Sequence, residues 1–210
     1  MASRNHHSAV APAILAPAED LCLTFANTLS WRGSTAPTEA LGGLPDLLEW
    51  LAETGQRPAP AWSEAASWSH NHPKRAARLF TEALALREAI FQCCSAVARG
   101  DAVPDEALDA LNDALAAAPP RRCLVPVGGG YAWATEAGAP SVPVLLAPVL
   151  WSAADLLARA DQLHVRRCAN DKCLWLFIDR SKAGTRRWCD MAACGNRAKA
   201  QRHYRNSRPD

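Results

Sequence analysis

Four cysteines near the C-terminus constrain the fold of this 210-residue chain more than any other feature. They form two pairs, Cys168 with Cys173 and Cys189 with Cys194, with four residues inside each pair and fifteen between the pairs. Two short-spaced pairs with a hairpin-length insert are typical of a four-thiolate zinc site. Because four protein thiolates fill a tetrahedral shell and leave no position for water, we expect one structural Zn²⁺ and no catalytic metal.

The residues between and after the cysteine pairs predict a small module built on this metal. Trp175–Asp179 is strand-like, a polar turn follows, and Thr185–Trp188 is expected as the return strand. Asp190 is suited to cap a helix that ends at about Arg205. We therefore expect a treble-clef-like module of knuckle, β-hairpin and helix over residues 164–210, and a fold this small needs a metal to hold it.

The charge of the chain is distributed unevenly along its length. The net charge is only +2, but residues 1–163 carry a net −6 and residues 164–210 a net +8, from 12 Lys or Arg against 4 Asp or Glu. Nine of these twelve cations are arginine, which suits bidentate contacts with phosphate groups and guanine edges. The distribution predicts an anionic partner for the C-terminal module.

The expected terminal helix carries basic residues on one side and leaves Ala200 and Tyr204 free to pack on the hairpin. Such a helix fits the major groove of DNA, while the hairpin contacts backbone phosphates. RNA is the first alternative partner, an acidic protein is the second, and a basic face that is merely solvated or docks on the acidic body is the third. The predicted nucleic-acid contacts are Arg186, Arg187, Arg197, Lys199, Arg202 and Arg205.

The preceding residues predict a mainly α body with one small β-hairpin, an α+β domain over residues 18–163 that is large enough to bury its own core. The hairpin strands are Cys123–Val127 and Tyr131–Trp133, joined by three glycines. Apolar periodicity, prolines and glycines predict helices over Pro45–Thr54, Pro73–Arg99, Pro104–Ala118 (with Leu108, Leu111 and Leu115 inward) and Val142–Leu163, the last kinked at Pro148.

The N-terminal residues and the apolar runs predict a cytoplasmic protein without a membrane segment. Residues 1–17 are interrupted by Pro12 and Pro17, so we expect a disordered tail rather than a signal peptide. The longest run without a charge, Val142–Trp151, has ten residues and two prolines, too few to cross a bilayer.

Arg87 lies within the apolar stripe of the longest predicted helix, where a guanidinium requires polar partners. One interpretation is an ion pair with a carboxylate such as Glu88 or Asp20. The other is an internal anion or small-molecule site formed together with Asn27, Thr28 and Arg32. The body is therefore expected to sense a ligand or to form a homodimer. No nucleophile–base set or glycine-rich phosphate loop is evident, so we do not expect an enzyme.

Two stretches of the sequence resemble known families. The run Arg187-Trp188-Cys189-Asp190-Met191, followed by Cys194-Gly195-Asn196-Arg197, resembles the CGNR zinc finger, which is named for that tetrapeptide. The body, with Leu21–Thr28 and Leu86–Ala89, resembles the ABATE domain, the usual N-terminal companion of that finger. The resemblance covers nearly the whole chain after residue 18 and implies a transcription regulator. Zinc fingers of this family often have glycine where this chain has Leu174, so we expect a strained knuckle there.

Overall fold

The computed structural model describes residues 13–56, 59–135 and 140–206, and these residues are mainly helical with three small antiparallel sheets. The helices are α1 Leu21–Ala26, α2 Leu44–Glu53, α3 Ala59–Asn71, α4 Pro73–Arg99, α5 Asp105–Ala117, α6 Val142–Leu145, α7 Ala147–Ala158 and α8 Asn196–Asn206. The strands are β1 Ala13–Ile14, β2 Leu29–Ser30, β3 Thr38–Glu39, β4 Leu124–Val127, β5 Gly130–Ala134, β6 Val165–Arg167 and β7 Leu176–Ile178.

Helix α4 is the central element of the body, and its predicted limits are confirmed. Pro73 is the first residue of the helix, where a backbone N–H would have no acceptor within the helix. Gly100 ends the helix in the left-handed conformation, with φ 72°. Ala83, Ile90 and Cys94 are buried along its inner face, where α1, α2 and α5 pack against it. Within the described residues, no helix is both long and apolar enough to cross a membrane.

Two helices of the body differ from the prediction. Helix α5 buries Leu111 as predicted. Leu108 is 38% exposed rather than inward, because Ala107, one position earlier, is the buried residue of that turn. The helix expected over Val142–Leu163 is two helices that meet at Leu146 and end at Ala158. Pro148 lies in the first turn of α7, where its missing N–H costs nothing, so it begins a helix rather than kinking one.

The predicted hairpin is confirmed as β4 and β5, and β1 adds a third strand in the order β1-β5-β4. Ala13 pairs with Ala134, and the fully buried Ile14 packs against Trp151. The prediction of a disordered tail is therefore wrong for Ala13 and Ile14, because burial of the isoleucine anchors them. Leu15 is held as well, since its N–H donates to the Gln56 carbonyl at 2.8 Å, and residues 1–12 of the predicted tail lie outside the described residues.

The hairpin of the cysteine module is formed by different strands from those predicted. Strand β7 pairs with β6, so that Arg166 lies opposite Phe177, and it does not pair with Thr185–Trp188. The prediction of a return strand there is wrong because β6 offers an apolar face through Val165, whereas Arg186 and Arg187 are exposed. The module is still a knuckle, a hairpin and a helix, with the knuckle at the tip of the hairpin.

The β6–β7 hairpin belongs to the same hydrophobic core as the body. Val165, Leu176 and Ile178 are buried in one cluster with residues of α1 and α4. The Asn27 side chain donates to the Leu176 carbonyl at 2.8 Å and accepts from the Leu176 N–H at 3.0 Å. This amide substitutes for a neighbouring strand and satisfies the free edge of β7. The body and the module are therefore packed as one unit.

A loop of the body also contacts the knuckle through Gly33. Its N–H donates to the Lys172 carbonyl at 3.2 Å, and a Cβ atom at Gly33 would lie 1.9 Å from the Asp171 carbonyl oxygen. No side chain fits between two backbones this close, so only glycine permits the contact.

We expect Gly33→Ala to lower the free energy of unfolding by about 1–3 kcal/mol, because the two backbones must separate. Urea unfolding followed by tryptophan fluorescence measures this. Gly130→Ala is the control, since a Cβ atom there meets its nearest neighbour at an ordinary 3.8 Å. Equal stability of the two variants would contradict the close contact.

Candidate metal centre and nucleic-acid interface

The four predicted zinc ligands come together in one cluster. The sulfur atoms of Cys168, Cys173, Cys189 and Cys194 all lie within 4.8 Å of one another. The Sγ of Cys189 is 3.7 Å from that of Cys173 and 3.9 Å from that of Cys194. A tetrahedron of Zn–S bonds of ordinary length places its sulfur atoms about 3.8 Å apart. The cluster therefore fits a structural Zn²⁺ held by four thiolates.

The first ligand pair is positioned by the β6–β7 hairpin and by Asn170. Cys168 directly follows β6, and its N–H donates to the Trp175 carbonyl at 2.8 Å. The Asn170 carbonyl accepts from the N–H of Cys173 at 2.9 Å, and its side-chain amide donates to the Cys194 sulfur at 3.5 Å. Leu174 has φ 60°, so the left-handed conformation expected at this position is confirmed.

The second ligand pair is positioned by the start of the terminal helix. The Asp190 carboxylate accepts from the Ala193 N–H at 2.6 Å, which confirms the predicted cap. A π-helical turn, Met191–Gly195, places Cys194 toward the other sulfurs and leads directly into α8. A Cβ atom at Gly195 would lie 2.9 Å from the Met191 sulfur, a contact that the flexible, half-exposed methionine side chain can relieve by moving.

The thiols of the cluster strongly affect one another's ionisation. A hydrogen bond from Cys173 lowers the pKa of Cys168 to about 2. The hydrogen bond to Cys168 raises the pKa of Cys173 to about 12. A separate hydrogen bond between Cys189 and Cys168 raises the pKa of Cys189 far above its ordinary value. One thiolate is thus stabilised at the expense of the others. A divalent cation removes this conflict, because it lets all four sulfurs ionise together.

We expect Cys194→Ser to lose most of the bound zinc, because the hydroxyl is a poor substitute for the thiolate and the ligand closes the tetrahedron. Metal content of the purified protein, measured by mass spectrometry, is the test. Cys123→Ser is the matched control, since Cys123 is exposed and lies outside the cluster. Full zinc content in the Cys194 variant would argue against the site.

Most of the described side chains of α8 are exposed, and Ala198 is half-buried. Arg197, Lys199 and Ala200 are exposed, and Tyr204 is 63% exposed. The prediction that Ala200 and Tyr204 pack on the hairpin is therefore wrong, because both residues are exposed in the structure. The Arg197 guanidinium lies 4.6 Å from the ring centre of Trp31, a residue of the body.

The other predicted nucleic-acid contacts fall into two groups. Arg186 is bound within the module: its Nε donates to the Trp188 carbonyl at 2.9 Å, a second nitrogen donates to the Cys189 carbonyl, and its guanidinium lies over Phe177. Arg187 is exposed beside the Trp188 ring. Arg202 and Arg205 belong to α8, and their side chains lie outside the described part of the structure.

The candidate ligand-site residues bind protein partners, although the buried Nε of Arg32 has no hydrogen-bond partner among the described residues. Arg87 is 3% exposed and binds Glu39 through two nitrogens, at 2.7 and 2.6 Å, as well as the Thr28 hydroxyl at 3.0 Å. Arg87 and Arg32 both pair with Glu88, so the ion-pair interpretation is supported. Asn27 instead binds β7. Glu39 was missed in the sequence because it lies 48 residues from Arg87, with no local pattern to connect them.

The Arg87–Glu39 pair predicts acid-sensitive stability. Although burial raises the pKa of Glu39, hydrogen bonds from Arg87 and the Leu41 backbone outweigh it and hold the pKa below 4.5. A carboxyl group with a lowered pKa stabilises the fold at pH values above its ordinary, unfolded-state pKa. This contribution disappears as the pH falls through the folded-state pKa.

We expect Glu39→Gln to cost about 1–3 kcal/mol at pH 7, with Glu39 a third exposed and its pair partly screened. The difference from the unchanged protein should shrink as the pH falls below 4.5. Urea unfolding between pH 3 and 7 measures both effects. Glu64→Gln, on the exposed side of α3, is the control. A difference that does not vary with pH would contradict the role of this pair.

The fold and the metal centre define a zinc-finger protein whose finger is packed on a mainly helical body. Residues 19–160 match the ABATE family, described as "Putative stress-induced transcription regulator", and residues 164–207 match the CGNR zinc finger. The chain belongs to the ABATE family and carries a C-terminal CGNR zinc finger, as the sequence resemblance predicted. No curated protein matches the chain. Neither family is one of enzymes, and their combination indicates a regulatory, nucleic-acid-binding role.

Proposed function

We propose that this protein is a DNA-binding transcription regulator whose zinc module places α8 in the major groove. The exposure of the described side chains of α8, among which Ala198 is half-buried and the others are exposed, is the observation that carries this proposal. A helix that packed one face on its own protein would have only a narrow strip to offer, whereas a helix that projects from its domain enters the groove of B-DNA. Its exposed cations would contact phosphates and guanine edges.

The anchoring of α8 supports the same proposal. Cys194 holds the π-helical turn before α8 at the metal site, and the Asp190 cap fixes the start of that turn. The stacking of Arg197 on Trp31 then connects the first turn of α8 to the body. A recognition helix needs this rigidity at one end, because freedom lost on binding weakens the complex.

The body is the proposed regulatory part. Asn27, Gly33 and Trp31 all contact the module, so a ligand or a second copy of the chain bound by the body would act on the orientation of α8. Homodimerisation and ligand sensing both use this coupling. The occupied hydrogen bonds of Arg87 support a structural role for that residue in either case.

DNA is favoured over the two other partners. The major groove of A-form RNA is too deep and narrow to admit α8 as a reading helix. An acidic protein would require only charge, whereas the arginine-rich composition of residues 164–210 suits the bidentate geometry of phosphate and guanine. The three partners respond differently to competitor polymers and to salt.

We expect the unchanged protein to bind duplex DNA with an affinity that falls steeply with salt, and Lys199→Ala with Arg202→Ala to weaken it roughly tenfold. The salt slope should become shallower by about 2. Fluorescence anisotropy of a labelled duplex between 50 and 300 mM salt measures both. Sequencing of duplexes selected from a random pool tests specificity.

Arg75→Ala with Arg78→Ala is the matched control, because it removes the same charge from exposed positions of α4. If the control weakens binding as much as the α8 variant, charge alone explains the effect and α8 is not the reading element. Tighter binding of a hairpin RNA than of any duplex DNA would favour the RNA alternative. Absence of binding to both nucleic acids would leave the acidic-protein partner and overturn the proposal.

A further inference from the structure

A basic groove lies where the body meets the zinc knuckle, away from the residues that the sequence predicts for α8. It has a volume of about 440 Å³ and runs between the C-terminal end of α4 and the knuckle. The groove is lined by four arginines, of which Arg99 ends α4, Arg166 and Arg167 belong to β6, and Arg187 precedes the second cysteine pair. Two separate segments of the module and one helix of the body thus supply its cations.

The arginines of the groove keep free N–H donors after their protein partners are counted. Asp171 lines the groove, and Asp101 pairs with Arg99. Arg166 donates one hydrogen bond to the Gly184 carbonyl at 3.0 Å. A guanidinium carries five N–H donors, so this bond uses a small part of its capacity. The carboxylates, together with the charge of about −2 on a four-thiolate Zn²⁺ site beside the groove, offset the charge of the four arginines, but the guanidinium N–H donors that face solvent remain for an anion.

The arrangement of the arginines favours phosphate as that anion. Arginine nitrogens form a planar fork that matches two oxygens of one phosphate group. The groove is open to solvent, and Arg99, Arg166 and Arg187 are exposed along it. An open groove with several arginines suits the phosphates of a polymer better than a single enclosed ligand.

The metal cluster places this groove beside α8. Cys168 lines the groove, and its sulfur lies within 4.8 Å of the sulfur of Cys194, which lies in the π-helical turn before α8. One metal site therefore separates the two surfaces. Successive base pairs of DNA are about 3.4 Å apart, so a site of a few base pairs spans both.

We propose that the arginine groove binds backbone phosphates of the nucleic acid that α8 contacts, and that the body contributes Arg99 to this interface. This inference rests on the function proposed above. It gives the body a direct part in binding, because removal of α4 would remove one wall of the groove. The binding surface is then formed by both domains together.

The test combines Arg99→Ala and Arg166→Ala in one double variant of the full zinc-loaded chain. We expect the double variant to bind duplex DNA roughly tenfold more weakly and its salt slope to become shallower by about 2. Arg99→Lys with Arg166→Lys should recover the slope, since the charges return. Arg75→Ala with Arg78→Ala, which makes the same charge change on α4, should leave both quantities near those of the unchanged protein. Zinc content and thermal unfolding show that each variant is intact.

A second titration, with inorganic pyrophosphate followed by calorimetry, separates backbone phosphates from a soluble phosphate ligand. Unchanged DNA binding by the groove variant overturns the inference, and loss of pyrophosphate binding in that same variant would assign the groove to a soluble ligand instead. If the unchanged protein binds no nucleic acid, the proposed function fails by itself. In that case, pyrophosphate binding by the unchanged protein but not by the groove variant would still support a phosphate site in the groove. Absence of pyrophosphate binding by the unchanged protein would overturn that site.

Discussion

The packing of the β6–β7 hairpin on the body is the interaction on which the rest of the structure depends. Leu176 and Ile178 are buried in the core formed with α1 and α4, and Asn27 satisfies the backbone of Leu176 on both sides. The knuckle lies at the tip of this hairpin, so the burial of two apolar side chains also fixes where Cys168 and Cys173 point. Metal binding and core formation therefore stabilise the same segment, and each makes the other more favourable.

The metal also determines how much of the basic charge is available to a partner. Four thiolates around one Zn²⁺ carry a net charge of about −2, which nearby cations offset. Arg186 binds two carbonyls beside Cys189, and Arg197 is stacked on Trp31, so part of their capacity is used inside the protein. The net +8 of residues 164–210 thus overstates the surface charge that a partner meets. The charge that remains for a partner is concentrated on α8 and in the arginine groove.

Features that depend on neighbouring residues could be predicted from the sequence, whereas pairings between distant residues could not. The ligand spacing, the limits of α4 and the cap at Asp190 are local, and the structure confirms them. The partner of β7 was predicted wrongly because alternation of apolar residues shows that a strand exists but not which strand it joins. The Arg87–Glu39 pair and the arginine groove depend on tertiary contacts of the same kind. The burial of Arg87 within an apolar stripe predicts a carboxylate partner, but only the fold shows that this partner is Glu39.

Two residues with left-handed backbone meet at the boundary between the body and the module. Trp31 has φ 55° and Leu174 has φ 60°, a conformation that costs a residue with a side chain about 1–2 kcal/mol. Both lie beside Gly33, whose closeness to the Asp171 carbonyl excludes any Cβ atom. Such strain persists only where surrounding contacts over-determine the backbone. A movement of the loop that carries Trp31 would therefore disturb the knuckle and the first turn of α8 together, which is the coupling that the proposed regulatory role of the body requires.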